Sequence, residues 1–366
     1  MTRTTARNIA TLFGLSFSLA GLVTPAQAQT ITPVMSGLDS PRGLAFGPEG
    51  GLYVTEAGVP VNSGNCVVVA LGMNCYSETG SVTRLYDGVQ ERVATGLPSV
   101  YNTIRRDVVG PNDISFQGRG GAYITLGWGG APAAREGLDT ARSLIGTLIA
   151  LQPSGHWRVD ADISDFEDAN NPAGGPKDSN PYGVVATAGD RYVTDAGGNS
   201  LLRVAANGRV SLVASFAALP LASPPPLPAS QTAEAVPTEV VIGPDGAFYV
   251  STLTGAPFEN GLANVYRVVP GRAPAPYQGG FRTIIDIDFG PDGSLYVLEH
   301  SATGPGFAAP GKITRITPDN VRHVINTGTT LMRPTAILVG EDDAIYVSNK
   351  GAGFAAGLGE VLKIVQ

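Results

Sequence analysis

Gly43-Leu44-Ala45-Phe46-Gly47-Pro48-Glu49-Gly50-Gly51-Leu52-Tyr53-Val54-Thr55-Glu56 is the stretch that decides the fold. It reads as strand, tight turn, strand. Proline presets φ at the first corner, the acid bonds local backbone, and glycine takes positive φ at the last. The turn returns as Gly243-Pro244-Asp245-Gly246 and Gly290-Pro291-Asp292-Gly293. The closing Tyr-Val or Tyr-Ile phrase returns at Tyr53, Tyr123, Tyr192, Tyr249, Tyr296 and Tyr346, at intervals of 47 to 70 residues. A strand unit recurring at that period is the signature of a propeller.

Working outward, each unit reads as strands A to D, with tight A–B and C–D turns and a longer B–C loop. The expected fold class is all-β, a six-bladed β-propeller, with blades near 37–98, 108–167, 180–216, 235–281, 283–328 and 332–365. The last unit stops after Val361-Leu362-Lys363-Ile364-Val365, with no strand D of its own. A spare strand, Thr30-Ile31-Thr32-Pro33-Val34-Met35, precedes the first A. The N-terminal strand is therefore expected to complete the last blade, which removes an open sheet edge. Five blades plus a separate sheet is the alternative. Pro220 to Pro237, with Pro224-Pro225-Pro226 inside it, reads as an extended surface connector.

Arg3 and Arg7, an apolar run from Ile9 to Val23, and Ala26-Gln27-Ala28 form the pattern of a secretory leader. The expected domains are a signal peptide over 1–28 and a propeller over 29–366. Export to a periplasm or the medium follows, with no membrane span in the mature chain. The whole chain carries a formal charge of −7, and the leader removes two arginines and no acid. An acidic chain with no basic cluster is a poor partner for nucleic acid. Export also permits a disulfide, expected between Cys66 and Cys75 to stiffen one long loop. Eight intervening residues and no nearby histidine argue against a zinc pair there.

Function is expected on the face of the long B–C loops, 56–79, 127–143, 252–262, 299–310 and 349–359. Two residue sets converge there. Arg42, Asn112, Asp113, Tyr182, Thr238, Glu239, Asp286 and Thr335 precede or open strand A. Glu56, Asp195, Glu299, His300, Asn349 and Lys350 close strand B. Of these, Arg42, Glu56, Tyr182, Asp195 and Glu299 are ligand-binding candidates. Asn112, Asp113, Glu239 and Asp286 could hold a hard cation such as calcium through oxygen. Their plainer role is to bond backbone and line the channel. His300 is a candidate general base, whereas His156 and His323 fall near C–D turns.

Pro111-Asn112-Asp113-Ile114 resembles the motif of paraoxonase, gluconolactonase and related six-bladed calcium lactonases. That resemblance implies a calcium ligand at Asn112, with Asp113 second. At the remaining ligand positions this chain has Tyr182, Thr238 and Ile285, with acids one step displaced at Glu239 and Asp286. The combination of the opening phrase, Gly110-Pro111-Asn112-Asp113-Ile114, Asp178-Ser179-Asn180-Pro181-Tyr182-Gly183 and Tyr192-Val193-Thr194-Asp195-Ala196-Gly197-Gly198-Asn199 resembles the ScyD/ScyE family of exported, NHL-like bacterial proteins. It implies fold and export and supplies no catalytic residue. The functional expectation is a binding module for a small molecule or an extracytoplasmic protein. The alternatives are a calcium-dependent hydrolase or lyase on small secondary metabolites, and a quinone-dependent sugar dehydrogenase.

Overall fold

The computed structural model describes residues 1–2, 29–139, 144–223 and 230–366. The leader expectation and the Pro224-Pro225-Pro226 run lie outside the described residues. Six antiparallel sheets follow one another along the chain, each with its first strand innermost, and the ring closes as a six-bladed propeller. The strand Thr30–Leu38 pairs with Gly359–Val365, so that Ile31 faces Ile364 and Thr30 faces Val365. The last blade therefore takes its outer strand from the opposite end of the chain.

The repeated phrase does two local jobs. Gly50, Gly246 and Gly293 sit at φ +88, +76 and +79, where a side chain would be strained. The turn closes through bonds such as Gly47 N–H to Gly51 O at 2.8 Å. The tyrosines pack between blades. Tyr53 meets Phe116 edge-on at 4.8 Å, Tyr249 meets Phe289 at 5.0 Å, and Tyr346 meets Phe46 at 5.5 Å. Each is a strand-B ring lying against strand A of the following blade. Period-2 alternation supplies the rest: Val54, Ile124, Val193, Val250, Val297 and Val347 are all fully buried. Apolar clusters fill the wedges between neighbouring blades, so the core is a ring and not a single centre.

Three expectations need correction. Residues 56–79 are not one loop. Cys66–Val69 is a strand, and Gly72–Tyr86 and Val89–Asn102 run far beyond the expected C and D strands. The two cysteines are directly opposed across this hairpin and form the disulfide, which staples a ladder and does not tie down a loop. The 220–237 connector is not wholly unpaired, since Leu219–Pro220 pairs with Thr232–Ala233. The second blade is followed by a helix, Ile163–Asn170, that strand periodicity did not announce. Its N-cap Asp162 accepts the Asp165 N–H, and Asn171 ends it in the left-handed region at φ 40.

Candidate functional site

Strand A opens with proline in five blades, at Pro41, Pro111, Pro181, Pro237 and Pro334 just ahead of Ala336. Proline suits the first residue of a strand whose inner edge has no neighbour. Near the start of strand A the ladder to strand B shifts register in five blades, after proline at Pro41/Leu44, Pro111/Asp113, Pro181/Val184 and Pro237/Val240 and after isoleucine at Ile284/Asp286. A bulge re-aims the side chains it contains. The repeated bulge thus delivers the second and third residues of strand A to the axis in five of the blades.

At the third position three blades carry a small residue, Gly43, Gly183 and Ala336, and three an acid, Asp113, Glu239 and Asp286. The small residues make room: a Cβ on Gly43 would lie 2.1 Å from Asp113 Oδ1, and one on Gly183 would lie 2.9 Å from Glu239 Oε1. The acids then reach backbone. Asp113 Oδ2 accepts the Val184 N–H of the next blade at 2.8 Å. Asp286 repeats this with Ile337 N–H at 2.7 Å and also accepts Ile287 N–H at 2.6 Å. Two residues on, Asp288 takes Val339 N–H at 2.7 Å and Phe289 N–H at 2.8 Å. Glu239 accepts Val240 N–H at 2.8 Å. These carboxylates staple inner-edge N–H groups that no strand would otherwise satisfy. Burial pushes Asp113 and Asp288 up to about 7, and burial with mutual repulsion pushes Glu239 and Asp286 well above the carboxylate range. They line, on the turn side, a cavity of about 430 Å³.

The axial donor set is only partly free for a calcium ion. The oxygens of Asp286 are committed to backbone N–H groups, whereas Asn112, donating through Nδ2 to Pro181 O at 2.8 Å, keeps its Oδ1 unengaged among the described residues, and Glu239 engages only Oε1. Among the described residues no three His, Cys, Asp or Glu side chains stand close enough to share a metal ion.

The strand-B candidates have a second shared task. Glu56 accepts Asp39 N–H at 2.6 Å, and Asp195 accepts Asn180 N–H at 2.6 Å. Glu299 accepts Arg282 N–H at 2.9 Å, and Asn349 accepts Met332 N–H at 2.8 Å. In four blades, then, the third residue after the repeated tyrosine tethers the connection entering strand A. Glu56, Asp195, Glu299 and Asn349 are all fully or almost fully buried, so they shape the loop face without being offered to a ligand. Lys350 pairs with Glu360 at 2.9 Å. Thr238 and Thr335 bond the next blade at Ile284 O and Pro41 O, 3.1 and 2.7 Å away.

Three of the expected residues remain for chemistry on the loop side of the channel. His300 Nδ1 lies 2.8 Å from Pro334 O. A carbonyl can only accept, so Nδ1 carries the proton and Nε2 keeps its lone pair. Burial lowers His300 to about 4, and nearby Arg42 and Arg333 oppose its protonation further. Arg42 is 5% exposed and is held by Asp107 Oδ1 at 3.0 Å and Val108 O at 2.7 Å, while its Nε has no partner among the described residues. Tyr182, half-buried, feels Arg42, Asp107, Asp286 and Glu239, and burial holds its phenol neutral. Backbone continuity links the first two: Pro334 accepts from His300, and Thr335 then reaches Pro41, next to Arg42. Phe307 stands edge-on to His300 at 5.0 Å and packs on Phe258 at 4.6 Å, giving that side an apolar wall.

Sequence reading missed Asp107, the partner of Arg42, and Asp288, the second staple of its blade. It also missed Glu167, which the unannounced helix carries to the side of Asp195. The density of acids in Asp162-Ile163-Ser164-Asp165-Phe166-Glu167-Asp168 was the available signal.

No protein-family model matches the chain, and no curated protein matches it. Solved structures do. A proposed oxidoreductase (glucose dehydrogenase) from Thermus thermophilus is 18% identical, over 92% of this chain and 100% of that one, with a TM-score of 0.53. A proposed gluconolactonase is 12% identical over 93% and 92%, at 0.52. The PQQ-bound aldose sugar dehydrogenase from Streptomyces coelicolor is 13% identical over 93% and 99%, at 0.51. These likenesses show a six-bladed propeller fold shared with several enzyme families. They do not single out the ScyD/ScyE family.

Proposed function

We propose that the protein is a propeller enzyme, a hydrolase or lyase acting on a small organic molecule at the loop-side mouth of its channel. The observation that carries this is His300, a histidine held neutral with Nε2 left as an acceptor beside a buried arginine. In this reading Nε2 takes a proton from a bound water or from an acidic C–H of the substrate. Arg42 faces the negative charge that develops on oxygen, and the Tyr182 hydroxyl protonates the leaving atom. The enzymes that share this fold favour a catalyst over a pure binding module, at the level of architecture. Calcium enters none of these steps, which are assigned to His300, Arg42 and Tyr182. A quinone cofactor has only the shared fold behind it.

The test is a panel of esters, lactones and β-leaving-group substrates assayed with wild type and His300→Gln. A loss of about 100-fold or more in kcat at an unchanged melting temperature supports the reading. Equal turnover by both proteins sinks it.

One observation favours the binding-module reading. Val68, Leu71 and Ile104 are 77%, 61% and 67% exposed on and beside the disulfide-stapled hairpin. An extracytoplasmic protein that loses affinity for Leu71→Ser, with no substrate turned over by wild type, would establish it. Export through the leader over 1–28 belongs to either reading and is supported by the Cys66–Cys75 disulfide. Among the described residues no helix is long and apolar enough to cross a membrane.

A further inference from the structure

Blade three breaks a rule that blades one and five keep. Their tether acids each have a cation. Arg92 reaches Glu56 at 2.8 Å, and Lys312 reaches Glu299 at 2.6 Å. Asp195 has none among the described residues. The residue opposite it across the ladder is Ser200, whose fully buried hydroxyl has no partner there. In place of a cation come more acids. The helix Ile163–Asn170 turns Glu167 inward at 1% exposure, and Asp178 approaches from the connection that follows. Glu167 Oε2 is buried with no hydrogen-bond partner among the described residues, and so is Asp178 Oδ1. Glu167 Oε2 and Asp195 Oδ2 both face Gly198, 2.7 and 3.0 Å from where its Cβ would stand. A side chain there would close the space between them.

The surrounding groups do not discharge this cluster. Asp195 accepts from Ser179 Oγ at 2.8 Å, and Ser179 from Ser164 at 2.7 Å, all neutral donors. Lys177 is exposed and paired with Asp168 at 3.1 Å, and Arg105 is exposed and bonded to Gly129 O at 2.9 Å. Glu234 adds a further negative charge beside Asp178. A buried carboxylate without a donor is costly unless a cation or a proton neutralises it.

We propose that Glu167 and Asp195 bind a hard divalent cation of the calcium type, with Ser200 Oγ beside them and Asp178 lending outer charge. Two carboxylates plus neutral oxygen and water make a calcium shell. The ion supplies the counter-charge that Arg92 and Lys312 supply in their own blades, and its role is to fasten the helix and the 171–180 connection onto the third blade. It is separate from the channel and independent of His300.

The experiment uses the mature protein stripped with EDTA and titrated with calcium alone to about 10 mM, above the range of weak extracellular sites. A melting temperature raised by about 4 °C is expected. Glu167→Gln removes that rise, and Asp178→Asn weakens the apparent affinity about 10-fold. Asp113→Asn, in the channel, keeps the full response. The inference is overturned if calcium, magnesium and manganese all leave the stripped protein's melt unchanged, in which case a proton does the neutralising. It is equally overturned if Glu167→Gln retains the response or Asp113→Asn abolishes it.

Discussion

Blade one and blade three solve one problem by opposite means. Each must hold the connection entering strand A, and each uses an acid three residues after its tyrosine. In blade one Glu56 accepts from Asp39 N–H, Ser81, Thr83 and the Nε and Nη2 of Arg92. Those bonds, Arg92 foremost, outweigh burial and hold its carboxyl below the usual range. In blade three Asp195 accepts from backbone and a serine, and its neighbours are acids. Burial and repulsion push Glu167 up to about 8 and Asp178 to about 6. The same tether is self-sufficient in one place and charge-deficient in the other. A repeat protein makes such a deficiency visible because it carries its own controls.

The contrast can be broken most strongly in blade one. Arg92→Ala leaves the buried Glu56 carboxylate without its counter-ion, and a loss of about 3 kcal/mol in denaturant unfolding is expected. A loss below about 0.5 kcal/mol would mean that Ser81 and Thr83 suffice and that blade three lacks nothing.

Blade three offers the converse. Ser200→Lys copies the Glu299–Lys312 register onto Asp195 and Ser200. It should stabilise the stripped protein by about 1 kcal/mol and abolish its response to calcium. Destabilisation with the response intact would show that the space beside Asp195 is not a cation's.

A smaller effect separates the two blades by pH. The raised groups, Asp113 and Glu167 among them, contribute stability that is fully present below their unfolded pKa and is lost as pH rises through the folded one. Glu56, held low, behaves in the opposite sense and loses its contribution as pH falls. Between about pH 5 and pH 8 the calcium-free melt should therefore decline, and Glu167→Gln should flatten the decline. His300, lowered to about 4, works against this only at the acid end of the range. A melt that rises steadily to about pH 8 would contradict the raised carboxylates.

The ring was legible because a turn, a tyrosine and a β-branched residue recur with one geometry. Even the closure could be read, since a strand was missing at one end and spare at the other. The channel acids were legible as a group but not in their task. Whether Asp113 or Asp286 meets a ligand or the next blade's N–H depends on the bulge at the start of strand A, and no residue type announces that bulge. Asp195 was visible for the same reason as Glu56, its fixed offset from the tyrosine. Its lack of a cation was not, because the answer lay across a ladder at Ser200 and on a helix outside the repeat. The Cys66–Cys75 pairing was read correctly, while the strand pairing around it was masked by polar, glycine-containing sequence.

Joining Thr30–Leu38 to Gly359–Val365 has a consequence for biogenesis. A strand near one end of the sequence has its mate near the other, and Gln29 bonds Asn326 O across 297 residues. Until that mate arrives the toroid lacks its clasp, and the nascent polypeptide stays unlatched. A chain that latches late is one that can still be threaded.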